Sequence, residues 1–220
     1  MAAATIPTLR DGDVTLRPIR ARDAKQLERV LLDNRGWLRQ WEATYPGGGS
    51  VIDTRASIRN LLAHARSGNA LPFVIEHGGE MVGQLNVSSI TFGSLSSASI
   101  GYWVAQSVAG RGITPAAVAL ATDYCFSVLR LHRMEICIRP ENQPSLRVVE
   151  KLGFRYEGLR RRFIHINGDW RDHFAFALVV EEVPSGVLRR WREARVPEHA
   201  ARVSAEDRAA AAHPLGLTDR

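Results

Sequence analysis

Ile100 to Cys125 reads IGYWVAQSVAGRGITPAAVALATDYC, and Met134 to Phe154 reads MEICIRPENQPSLRVVEKLGF. The first stretch is a strand that runs into a glycine-spaced turn, Gly110-Arg111-Gly112, and opens a helix. The second is a strand, a helix start at Asn142-Gln143-Pro144-Ser145, and a helix ended by Gly153. Each places a helix N-terminus at the end of a strand. Such termini carry unsatisfied N–H groups and a partial positive charge, and so receive anions.

In the first stretch, Gly110 and Gly112 lack a Cβ, so a phosphate can approach the backbone and the turn can take positive φ. Pro115 falls in the first helical turn, where its missing N–H does no harm. Ile113, Ala117, Leu120, Ala121, Tyr124 and Val128 then share one helix face. A Walker loop is excluded because no lysine follows, and a dinucleotide fingerprint because Pro115 occupies its last glycine position. Taken alone, Gly-Arg-Gly also fits a plain strand-to-helix turn.

The second stretch adds weight. Met134, Ile136 and Ile138 alternate with Glu135, Cys137 and Arg139, as in a strand whose two faces are covered unequally. Asn142 can cap the following helix with Pro144 in its first turn, which places Ser145 beside the end of the strand. Leu146, Val149 and Leu152 turn inward, and Phe154 enters the next strand after the Gly153 stop.

Upstream, Val14 to Ile19 reads as a strand, and Arg22-Asp23 begins a helix carrying Leu27, Val30 and Leu31. Trp37, Leu38, Trp41 and Tyr45 continue at helical spacing up to the break Pro46-Gly47-Gly48-Gly49-Ser50. Asp53 caps a second helix with Ile58, Leu61, Leu62 and Ala65, which stops near Gly68. Pro72 to Glu76 and Met81 to Ile90 form a hairpin about His77-Gly78-Gly79-Glu80. Ser94 to Ser99 reads as a polar connector. Downstream, Arg155 to Ile166 and Trp170 to Val180 flank Asn167-Gly168-Asp169. Asn-Gly is a strong hairpin signal, so the second half is expected to be antiparallel. Pro184 marks a boundary: residues 5–183 form the domain, and 184–220 form a basic helical segment (Val187 to Ala194) and a tail that packs as a helix on the domain or on a partner or stays mobile, mobility at its extreme end being the default.

Composition sets outer limits. With 220 residues, 45% hydrophobic and 24% charged, the chain can bury a full core. The formal charge of +6 favours acidic ligands such as phosphates without forming a dense basic run. Lys25 and Lys151 are the two lysines; the other basic side chains of the count are arginines. Cys125 and Cys137 lie in apolar segments and read as buried free thiols, and no histidine joins them at zinc-ligand spacing, so no metal is assigned. The N-terminal stretch lacks the features of a signal peptide, and no apolar run approaches about 20 residues, so a cytoplasmic protein without a membrane span is expected.

The turn VAGRGIT, the block PENQPS through EKLGF, the later EGLRRRFIHINGDWRDH and the opening VTLRPIRARDAKQL together resemble the GNAT acetyltransferases. More narrowly they are similar to the RimJ/RimL-type ribosomal-protein N-terminal acetyltransferases, over about Val14 to Glu182. Arg171-Asp172-His173 after the Asn-Gly turn carries much of that narrower likeness. The resemblance implies an α+β fold: a twisted, mostly antiparallel central sheet with helices on both faces, its strands Ile100–Val104 and Met134–Ile138 splaying apart. It implies that acetyl-CoA is the co-substrate. Pantetheine would lie in the split against the first strand, at Trp103 and Val104. The pyrophosphate would lie on the amides of Ala109, Gly110, Arg111, Gly112, Ile113 and Thr114. Asn142 and Ser145 match positions that contact pantetheine and the departing thiol. One departure is Ser107, where the family often has Gln or Arg; Gln106 stands one place earlier.

The resemblance therefore implies an acyltransferase: direct attack of an amine on the acetyl thioester, with a protein N-terminal α-amine, of a ribosomal protein, as acceptor. Ser145 is the expected hydrogen-bond donor to the thiolate. For a base, Glu135 stands against a reading as an ion-paired carboxylate, and Glu42 and His165 stand against surface and structural readings. Trp41, Glu42, Tyr102 and His165 are taken as the acceptor side. The cluster Arg155, Arg160, Arg161 and Arg162 reads as a solvated strand edge, set against contact with an acidic acceptor or nearby ribosomal RNA, and no direct nucleic-acid binding is expected. A monomer or homodimer fits equally. Two other functions stay open: acetylation of a small amine such as an aminoglycoside or polyamine, and an acyl-CoA-binding module without turnover.

Overall fold

The structure, a computed structural model, describes residues 6–47, 53–213 and 215. Positions 48–50 of the glycine-rich break, the first residue of the expected domain and the extreme C-terminus from 216 lie outside the described residues. The strands are β1 (Leu9–Asp11), β2 (Val14–Pro18), β3 (Leu71–His77), β4 (Glu80–Thr91), β5 (Ser97–Val104), β6 (Arg133–Ile138), β7 (Arg155–Ile166) and β8 (Asp169–Val179). They form one sheet in the order β1-β2-β3-β4-β5-β6-β8-β7. Every neighbouring pair is antiparallel except β5 and β6.

The helices are α1 (Ala24–Asp33), α2 (Arg35–Leu38), α3 (Thr54–Arg66), α4 (Ile113–Ser127), α5 (Gln143–Leu152), α6 (Val187–Arg192) and α7 (Ala205–Ala212). One face of the sheet buries Leu16, Phe73, Ile75, Leu85, Ile100, Met134 and Ile136 in a core shared with α4 and α5. On the other face, Ile19, Val74 and Met81 pack with Leu27 of α1 and Ile58 of α3. The mixed, mostly antiparallel sheet with helices on both faces is the expected fold. Among the described residues, no helix is long and apolar enough to cross a membrane.

The feature that positions the site is the short pairing of β5 with β6. Their register runs Ser97↔Arg133, Ala98↔Met134, Ser99↔Glu135 and ends there. Beyond it each strand follows its outer neighbour, β5 along β4 as far as Gly83↔Val104 and β6 along β8 as far as Ile138↔Phe174. The expected splay is therefore present, and it leaves one side of Ile100–Val104 without a strand partner.

Local readings held where the chemistry is local. The Asp53 side chain accepts from the Ala56 N–H at 2.8 Å and caps α3. Asn167 and Gly168 have φ of 50° and 90°, the backbone of a two-residue hairpin turn of type I′.

Four expectations are corrected. β1 was not anticipated. β5 begins at Ser97, within the expected polar connector, because Ser97 and Ser99 alternate with the buried Ala98 and Ile100. The helical spacing of Trp37 to Tyr45 breaks after Leu38, because Ala43 bridges to Ile166 and the Thr44 N–H donates to the His165 carbonyl. Tyr45 is 86% exposed as a result. In α4 the expected apolar face is too narrow: Val118, Ala119 and Cys125 are buried as well, whereas Val128 is 59% exposed. A helix apolar nearly all round is a buried one, and α6 covers its second side.

That cover comes from the C-terminal segment. Asp123 of α4 accepts from the N–H groups of Val187 (2.6 Å) and Leu188 (3.1 Å) and so caps α6. The buried Arg190 guanidinium donates to the carbonyls of Leu152 and Glu182. Val187 and Val203 belong to the main core, so packing continues across the boundary expected at residue 183. Further on, the Tyr156 hydroxyl donates to Asp207 of α7 at 2.7 Å.

Candidate active site

A cavity opens where β5 and β6 diverge, lined by β5, the turn before α4, the start of α5 and the residues around α2. At the end formed by the turn before α4, Gly110 and Gly112 both have φ of 82°. Non-glycine residues rarely adopt this conformation, so the turn requires glycine. A Cβ on Gly110 would meet nothing within 4 Å, and one on Gly112 would meet only Trp191, at 3.8 Å. The space beside the turn is open to a ligand.

The backbone amides give this end its character. Those of Val108 and Ala109 are used by the carbonyls of Ala105 and Gln106. Those of Gly110, Arg111, Gly112, Ile113 and Thr114 find no acceptor among the described residues. Five successive free donors at the start of a 15-residue helix are an arrangement able to receive an anion. Arg147 and Lys151, four residues apart on α5, bring two cations to the same cavity. Sequence reasoning missed both; their i, i+4 spacing was the available signal.

At the other end, the Asn142 side chain accepts from the Ser145 N–H at 3.2 Å, with Pro144 in the first turn. The cap is therefore the expected one. The Ser145 and Tyr102 hydroxyl oxygens are 2.7 Å apart. Burial raises the Tyr102 phenol above its usual pKa. Trp37 donates its indole N–H to the Val104 carbonyl at 3.2 Å, fixing α2 to the end of β5. Arg139, at the end of β6, lies 5.4 Å from the Trp41 ring centre and donates to the Gln40 carbonyl at 2.8 Å. These contacts hold the aromatic segment over the split.

The cavity thus brings together Trp41, Tyr102, Trp103, Val104, Ala109, Gly110, Gly112, Ile113, Thr114, Asn142 and Ser145. It does not bring in four of the expected residues. Arg111 is exposed and offers its backbone amide. Glu42 is paired with Arg35. His165 has its Nδ1 2.8 Å from the Thr44 hydroxyl and its ring edge-on to Trp170. Glu135 lies on the sheet face opposite the one α5 covers, bound to Arg160 at 2.7 Å and Arg133 at 3.2 Å. The Gln106 side chain is likewise outside the cavity, and its N–H donates to Asn34.

Residues 13–155 match the family model described as acetyltransferase (GNAT) domain. The chain belongs to the GNAT acetyltransferase family and is an acyltransferase enzyme. Among solved structures it is similar to Mycobacterium smegmatis RimJ in complex with CoA-disulfide, at 42% identity and a TM-score of 0.77, covering 87% of this chain and 95% of that one. It is 30% identical to the probable N-acetyltransferase YjcK of Bacillus subtilis, over 78% of this chain and 96% of the relative. It is 28% identical to the [ribosomal protein uS5]-alanine N-acetyltransferase of Escherichia coli, over 79% and 91%. The spermidine N(1)-acetyltransferase of E. coli is also 28% identical, over 72% and 82%.

Proposed function

We propose that this enzyme transfers acetyl from acetyl-CoA to the N-terminal α-amine of a protein, a ribosomal protein among the candidates, by direct attack on the thioester. The observation that carries the donor half is the run of five free amides from Gly110 to Thr114 at one end of a cavity whose other end holds Ser145. In this reading the pyrophosphate takes the amides, the pantetheine takes the open side of β5, and the Ser145 hydroxyl meets the departing sulfur. The similar RimJ was solved with a CoA-derived ligand, which supports the choice of donor.

The acceptor half rests on the lining of the cavity and on likeness. Among the described residues that line it there is no carboxylate and no imidazole. An amine that arrives already neutral needs no base from that lining. An α-amine with a pKa near 7.8 is roughly 15% neutral at pH 7, whereas a primary alkyl amine near 10.4 is roughly 0.04% neutral. The α-amine therefore needs far less help from a base. Similarity to RimJ and to the uS5-alanine enzyme points the same way, and a cytoplasmic site of action goes with that acceptor. Similarity to the spermidine enzyme favours a second reading, a small polyamine acceptor.

Thiol release from acetyl-CoA separates the readings when peptides beginning with Ala or Ser, lysine peptides, polyamines and aminoglycosides are compared. Release with the Ala- or Ser-starting peptides is expected. Release confined to polyamines or aminoglycosides would overturn the protein acceptor.

A further inference from the structure

Tyr102 reaches the cavity from β5, and Ser145 reaches it from the first turn of α5. Their 2.7 Å contact therefore bridges the split on which the site is built. Two touching hydroxyls share one hydrogen, so one must donate and the other accept. Ser145 is the one partner of the Tyr102 hydroxyl among the described residues. Tyr102 is half-buried, and a phenol that did not donate to Ser145 would have to find another acceptor in the cavity, since a polar hydrogen left unpaired is costly. The Ser145 hydroxyl has an alternative direction for its proton, the cavity itself. Both groups are satisfied when Tyr102 donates to Ser145 and Ser145 donates into the cavity.

We propose that Tyr102 is a positioning residue for acyl transfer: it holds the Ser145 hydroxyl with its proton aimed at the leaving sulfur. The proposal rests on the reading of Ser145 as the thiolate's donor. Ser145 is fixed twice, through its N–H by the Asn142 side chain and through its Oγ by Tyr102. Burial raises the phenol's pKa, so Tyr102 acts as a donor that does not ionise. During transfer the amine nitrogen bonds to the acetyl carbon and the C–S bond breaks, with its electron pair passing to sulfur. The proton given up by the amine balances the thiolate. Until it arrives, the chain from Tyr102 through Ser145 stabilises the charge on sulfur, and a hydroxyl that already accepts a hydrogen bond donates more strongly.

The test is a double-variant cycle on the full chain, with kcat and KM for acetyl-CoA measured in Tyr102→Phe, Ser145→Ala and the pair. Ser145→Ala is expected to lower kcat by about 10²-fold, as loss of a direct donor does, and Tyr102→Phe by about tenfold. In both, KM should change less than kcat. The pair should be no slower than Ser145→Ala, because Tyr102 acts through Ser145. An unchanged kcat in Ser145→Ala would overturn the Ser145 reading and the proposal together. A slow Ser145→Ala beside an unaffected Tyr102→Phe, or effects that multiply in the pair, would overturn the proposal alone. Should Tyr102→Phe fold poorly, solvent exchange of the Tyr102 hydroxyl proton decides the matter. It should be protected in the unmodified protein and lose protection in Ser145→Ala. Equal protection in both would show that the phenol donates elsewhere.

Discussion

At Gly112 the backbone turns left-handed, with φ of 82°, one residue before α4 begins. Glutamate at this position would add strain of about 1–2 kcal/mol and place a negative charge among the free amides. Gly112→Glu is therefore expected to abolish CoA binding in titration calorimetry while the protein still melts cooperatively, a few degrees lower. Unchanged CoA affinity would place the phosphates elsewhere. The left-handed turn at Gly112 was legible in the sequence, as was the Asn142 cap, because both depend on neighbours within a few residues. The partner of Tyr102 was not, since Ser145 lies 43 residues away. Trp191, 3.8 Å from where a Gly112 Cβ would stand, was hidden for the same reason. Glu135 shows the converse: its strand position was read correctly, but Arg133 and Arg160, which bind it, come from its own strand and from β7.

Among the elements, α6 was expected as a helix, but its packing against α4 was not. Periodicity reports which side chains are apolar and says nothing of what covers them. α4 was thus given one buried face when the sheet and α6 together bury most of it. The clasp between these helices is polar. Asp123 caps α6, and Arg190 satisfies the carbonyl of Leu152 at the end of α5, the helix that begins beside Ser145. Burial lowers the Arg190 pKa from its usual value, although Glu182 and Asp123 oppose that shift. Arg190→Ala removes the donor and leaves buried carbonyls unpaired, which is expected to cost about 2–3 kcal/mol of stability. A lower urea midpoint at unchanged slope would show this; an unchanged midpoint would mean that α6 is not clasped through Arg190. The hairpins were easier to read, because Gly78-Gly79 and Asn167-Gly168 state the turn and alternation states the strands.

For the whole molecule, the +6 charge does not become a basic face on β7. Arg155 pairs with Glu157 and Glu182, Arg160 with Glu135, Arg161 with Asp172 and Arg162 with Asp169. Hydrogen bonds from Arg133 and then Arg155 hold the Glu157 carboxyl down to about 2, so this carboxylate stays ionised at neutral pH. Among the described residues, a run of five free backbone amides, Gly110 to Thr114, stands instead beside the split between β5 and β6, which opens where their three-pair register ends at Ser99 and Glu135. The splay was legible through family resemblance, whereas strand periodicity alone could not set how many residues of two parallel strands pair. The central claim is transfer of acetyl to a protein N-terminus, and mass spectrometry of cellular N-termini with and without the gene tests it most directly. The expected result is loss of N-terminal acetylation from one or a few proteins, ribosomal proteins among them, when the gene is absent. An unchanged set of N-termini, accompanied by loss of an acetylated polyamine, would contradict it.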